Sequence, residues 1–96
     1  MRWTAGARAD LMEMFAYVAA ENPEAAARLR ARIRADTARL VDHPGLGRVV
    51  PELGDSALRE LIVRPYRVVC LALADEVHML GVIHSRRLMP DFEHQG

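Results

Sequence analysis

Apolar positions along the chain follow a helical period up to His43 and a strand-like period from Leu58 onward. Met1–Thr4 reads as a short opening strand. From Ala7 the residues Ala7, Leu11, Met14, Phe15 and Val18 fall on one stripe, while Asp10, Glu13 and Tyr17 face away. This spacing predicts an amphipathic helix ending near Glu21-Asn22-Pro23. Asn22 suits an N-cap, and Pro23 at the first helical position loses no needed donor. A second helix follows, with Ala26, Leu29, Ile33, Thr37 and Leu40 inward. Its outer face offers Glu24–Arg28 and Arg32–Asp36 as i, i+4 pairs. His43-Pro44-Gly45 ends it, and the short join predicts an antiparallel helical hairpin.

Residues 46 to 57, punctuated by Gly47, Pro51 and Gly54, read as a loop. Three strands come next: Leu58–Arg64, Tyr66–Leu73 and Val77–His84, rich in valine, isoleucine and leucine. Pro65 marks the corner between the first two, because proline cannot donate within a sheet. The turn Ala74-Asp75-Glu76 makes the last two an antiparallel hairpin. Strand, helix, helix, then a strand meander predicts an α+β fold, with the helical hairpin on one face of a mostly antiparallel sheet.

Composition adds bounds. The 96 residues fit one domain over positions 1 to 96. A hydrophobic share of 51% is too high for disorder, and no apolar run is long enough to span a membrane. The start Met1-Arg2-Trp3-Thr4 has no signal-peptide core, so a cytoplasmic protein is expected. The lone cysteine, Cys70, lies in an apolar strand pattern, so a buried, inert thiol is expected. Thirteen basic residues balance thirteen acidic ones, so global charge selects neither nucleic acid nor membrane. All the basic residues are arginine, which fits a GC-rich genome or, more sharply, phosphate and carboxylate recognition.

Little of the usual site chemistry is present. His43, His78, His84 and His94 show no familiar metal spacing, so neither metal nor cofactor is expected. His78 and His84 share strand parity, for which an exposed or satisfied histidine is the ordinary explanation. Gly45 and Gly47 are turn residues and form no phosphate loop, and no Ser/His/Asp pattern has supporting context.

An ordered set of segments does carry a resemblance. Ala9-Asp10-Leu11 runs into Phe15-Ala16-Tyr17-Val18-Ala19, then Glu21-Asn22-Pro23. His43-Pro44, Gly47-Arg48 and Val50-Pro51-Glu52-Leu53 follow. Arg59-Glu60-Leu61-Ile62-Val63, Pro65-Tyr66-Arg67-Val68-Val69 and His84-Ser85-Arg86-Arg87 complete the set. In this order, with β-α-α-β-β-β elements, the chain resembles the RelE/ParE toxin superfamily and its ParE branch in particular. The resemblance covers nearly the whole chain.

It implies the toxin of a type II toxin–antitoxin module, of the kind that stabilises plasmids. A cognate antitoxin would silence it with a C-terminal segment that folds on binding. ParE-type members act on DNA gyrase and stall replication, whereas RelE-type members cut messenger RNA on the ribosome.

Metal-free RNA cleavage needs a base, an acid and cations around the phosphate. Relatives that cleave RNA draw these from lysines, arginines and a histidine or tyrosine near the sheet and C-terminus. Here lysine is absent, and no tyrosine follows the last strand. A minimal nuclease would use Arg67, His84 and Arg86, with Glu52 in reserve. The plain alternative is that Arg67 and His84 orient the sheet end and pair with Glu60 or Asp91. The gyrase reading needs only a binding surface, for which Arg48, Arg64, Arg67, His84, Arg86 and Arg87 are candidates. The second helix also carries a surplus of three positive charges over residues 22 to 41, with Arg30 and Arg34 flanking its apolar stripe. A third expectation is a folded, antitoxin-binding member inert toward any target.

Overall fold

The computed structural model describes residues 1–92. Its elements are β1 (Arg2–Trp3), α1 (Ala5–Glu21), α2 (Pro23–Asp42), a 3-10 turn (Pro44–Leu46), β2 (Arg48–Val49), β3 (Leu58–Val63), β4 (Tyr66–Ala72) and β5 (Val77–His84). The strands form one sheet in the order β1-β5-β4-β3-β2. Every neighbouring pair is antiparallel except β1 with β5, which is parallel. Two helices against a mostly antiparallel sheet is the expected α+β architecture. The stretch read as a loop contains one further strand, β2, whose two residues pair with Arg59 and Glu60. So short a strand leaves no alternation to detect.

Local chemistry sets the helix ends. Thr4 does not extend the first strand: its hydroxyl accepts the Ala7 N–H at 3.1 Å and caps α1, which therefore starts before the apolar stripe does. Asn22 ends α1 with its backbone N–H on Val18, and its side chain accepts the Ala25 N–H at 3.0 Å to start α2. One residue thus joins the two helices. In α2 the inward stripe is buried at Leu29, Ile33, Thr37 and Leu40. The Thr37 hydroxyl is satisfied by donating to the Ile33 carbonyl at 2.7 Å. The two i, i+4 ion pairs foreseen on α2 do not form, and Arg32 donates instead to the Arg64 carbonyl at 3.3 Å. Exposed pairs of that kind are worth only a few tenths of a kcal/mol, so a backbone acceptor can displace them.

The main core lies between the helices and one sheet face, where Ala7, Leu40, Val63, Val68 and Met79 are wholly buried. Each large aliphatic there contributes about 1.5–3 kcal/mol. Trp3 packs partly buried against it, as expected. Cys70 is 1% exposed, and burial pushes its thiol up to about 11, which leaves it protonated and inert.

The other sheet face has a smaller core of Val50, Leu58, Val69 and Leu71. Residues 50 to 57 fold back over it, with Leu53 and Gly54 donating to the Val50 carbonyl at 3.2 and 3.3 Å. Gly54 makes that reversal at φ +63, a conformation side chains rarely adopt.

A β-bulge decides which side chains share a face. Val69 pairs with Gly81 but Cys70 pairs with Met79, so Leu80 is an extra residue in β5. His78 pairs with Leu71 and His84 with Tyr66, so these histidines point to opposite faces despite their even spacing. No described helix is long and apolar enough to cross a membrane.

Candidate functional site

The far face of the sheet, away from the helices, carries a chain of alternating charges. Register places Arg48 opposite Glu60 and puts Arg67 on the same face one strand over. The Arg67 Nε donates to Glu60 Oε1, and its Nη1 and Nη2 donate to both oxygens of Glu52 at 2.6 and 2.8 Å. The Arg48 Nε donates to the remaining Glu60 oxygen at 2.7 Å. The Glu60 side chain is fully enclosed and Arg67 nearly so, at 10% exposed. The hydrogen bonds from Arg67 hold the Glu52 carboxyl down at about 2. Glu52, then Glu60, in turn keep the Arg67 guanidinium more firmly protonated than usual. Both buried charges are therefore matched, and Glu52 pins the folded-back segment to the sheet.

The second region is a cleft of about 600 Å3 where α1, the corner at Pro65 and the end of β5 meet. Asp10, Glu13 and Tyr17 line one side. Tyr66 and His84, edge to face at 5.5 Å between ring centres, line the other, with Arg87 also present. Asp10 was expected to face solvent, yet its carboxylate accepts the Val82 N–H at 3.0 Å. It caps the outer edge of β5, because β1 pairs only with His78 and Met79. Gly81 stands beside it: a Cβ there would sit 2.8 Å from the Phe92 ring and 3.1 Å from the Asp10 carboxylate. His84 Nδ1 accepts the Arg86 N–H at 3.1 Å. Burial, then the nearby Tyr17, pushes the Tyr66 phenol above its ordinary value.

The candidate residues therefore divide. Arg48 and Arg67 are locked in the far-face network, while His84 and Arg87 belong to the cleft. Arg64 and Arg86 are exposed near the same corner. Arg67 pairs with Ile83 and not with His84, so Arg67 and His84 project from opposite faces. The structure does not bring the three members of the minimal nuclease together. Arg67 does pair with Glu60, as the plain alternative held, but no ion pair joins His84 to Asp91 among the described residues. No group of three described His, Cys, Asp or Glu residues could hold a metal, and His94 lies outside the described residues. Asp10, Glu13 and Tyr17 were missed as cleft residues. Their signal was a shared stripe at i, i+3 and i+7, which a solvated helix face carries equally well.

A third feature is an apolar groove between α1 and α2. Met12, Phe15, Ala16, Ala19 and Ala27 line it, with Arg30 and Arg34 at its side. Met12 is 72% exposed, so α1 presents apolar surface on both sides. The Arg30 guanidinium lies 5.0 Å over the Phe15 ring.

Comparison with known proteins agrees with this architecture. The family model for the ParE toxin of the type II toxin–antitoxin system parDE matches residues 1–89. "Putative toxin Y4kP" of Sinorhizobium fredii is 35% identical, covering 94% of this chain and 92% of the relative. The chromosomal ParDE TA system from P. aeruginosa has a chain that superposes with a TM-score of 0.70 at 21% identity, covering 86% of this chain and 91% of that one. This last likeness is one of fold. With a match spanning helices, sheet and C-terminal corner alike, the chain belongs to the ParE toxin family of type II toxin–antitoxin systems.

Proposed function

We propose that this toxin acts in the cytoplasm by binding DNA gyrase and halting replication, and that a cognate antitoxin neutralises it. The observation that carries the gyrase reading is the state of Arg67. The cation a nuclease would need at the phosphate is held by both Glu52 oxygens and by Glu60, on the face opposite His84. Neutralising a crowded phosphate demands a guanidinium free to reach it. A toxin that traps a protein–DNA complex needs no such group. Arg64, Arg86 and Arg87, grouped at the corner of the sheet, are the cations we assign to the target surface.

The groove between α1 and α2 suits the antitoxin. Its alanine floor admits close approach of a helix, and Arg30 and Arg34 favour one with an acidic flank. Segments of that kind fold on binding.

Pulse labelling after induction of this gene alone tests the target. Thymidine incorporation should fall within minutes while methionine incorporation continues. If translation collapses first, the gyrase reading is wrong and Arg67 and His84 become the residues to mutate. Normal growth and labelling would instead favour an inert, antitoxin-binding member.

A further inference from the structure

The cleft beside α1 holds polar groups that the rest of the chain leaves unused. Tyr66 is only 9% exposed, yet its hydroxyl makes no hydrogen bond to any described residue. That hydroxyl is the polar tip of an otherwise buried ring and opens onto the cleft, where a guest's donor can take the place of water. Asp10 gives one oxygen to the Val82 N–H. Neither Asp10, Glu13 nor Arg87 makes an ion pair among the described residues. Two carboxylates against one guanidinium leave the cleft one unit negative, so a single guest cation balances it. Met14 and Val82 add apolar surface, and Tyr66 and His84 add two rings.

We infer that this cleft receives an arginine side chain presented by a protein partner. The guanidinium lies against the Tyr66–His84 pair, ion-pairs with Asp10 and Glu13, and donates to the Tyr66 hydroxyl. Arginine fits better than lysine because its planar fork can stack on a ring and reach several acceptors at once, whereas an ammonium is a hydrated point charge. A nucleotide fits worse, because its phosphate would meet two carboxylates with Arg87 as the one described cation lining the cleft. The inference rests on the cleft alone and not on which target the toxin attacks.

The test is a titration of the full chain, labelled with nitrogen-15, with N-acetyl-argininamide. Saturable shifts are expected at the Tyr66, Val82 and His84 amides, in the millimolar range usual for so small a probe. N-acetyl-lysinamide should bind at least about fivefold more weakly, and so should arginine to Tyr66→Phe or to Glu13→Gln. Phe keeps the buried ring and Glu13 is exposed, so both variants should retain the parent's dispersed spectrum. Any of four results overturns the inference: no saturable shift, an equal response to lysine, an unchanged affinity in Tyr66→Phe, or tighter binding of guanosine monophosphate at the same amides.

Discussion

The two polar regions of this protein use the same residue types to opposite ends. On the far face, Arg48, Glu60, Arg67 and Glu52 consume one another's charge and fasten residues 50 to 57 over a small core. In the cleft, Asp10, Glu13, Tyr66 and Arg87 stand close together with no ion pair among them. The difference follows from burial and register. Glu60 and Arg67 point at a covered face, where an unmatched charge would be ruinous, so each must meet a partner. The cleft residues sit where solvent can serve until a guest arrives. The strand arginines Arg48 and Arg67 are thus scaffold residues because neighbouring strands bring carboxylates beside them, whereas Arg87, beyond the end of β5, is left without an ion pair among the described residues.

Breaking the far-face network should have the largest effect. Glu60→Ala leaves Arg67 buried with only Glu52, and should cost about 3–5 kcal/mol in denaturant unfolding. A cost below about 1 kcal/mol would mean the network is far more hydrated than its geometry implies.

Glu52 tests the same network through pH. Its carboxyl is held near 2, below the ordinary 4.5, so its contribution to stability is complete above about 4.5 and is lost as pH falls toward 2. At pH 7 Glu52→Gln should therefore be less stable than the parent. The gap between their unfolding midpoints should close on acidification through that window. A constant gap would show that Glu52 acts by packing rather than by charge.

Arg48 marks the edge of the network. Its side chain is 60% exposed, so Arg48→Ala should cost under about 1 kcal/mol, and high salt should shrink the difference further. A larger loss would mean that Glu60 depends on both its arginines.

The smallest effect belongs to the cleft. Tyr66→Phe removes a hydroxyl that bonds to nothing described, so stability should change by less than about 0.5 kcal/mol while arginine binding weakens. A substantial loss of stability would place Tyr66 with the scaffold and erase the contrast between the two regions.

Much of this was legible in the chain, for local reasons. Asn22-Pro23 announces a helix junction because capping chemistry resides in those two residues. The stripe through Leu29, Ile33, Thr37 and Leu40 announces the buried side of α2 because helix geometry is fixed at 3.6 residues per turn. Thr4 was misassigned because a threonine before a helix and one in a strand look alike until its hydroxyl finds the Ala7 N–H. Glu52 and Glu60 were present in the sequence, but their bond to Arg67 spans 15 and 7 residues and depends on how the intervening segment folds back.

By itself, then, the sequence determined the types and order of the two helices and of every strand but β2, the helical hairpin and the family resemblance, because each rests on short-range periodicity, capping and turn chemistry. The tertiary structure alone decided which residues share a face. One extra residue in β5, Leu80, reverses parity along the strand and parts His78 from His84. Register across β4 and β5 separates Arg67 from His84 and sends one to a matched charge network and the other to an open cleft. Strand pairing is a long-range choice, made by the whole sheet packing at once, and a single-residue shift in it moves a side chain from one surface of the protein to the other.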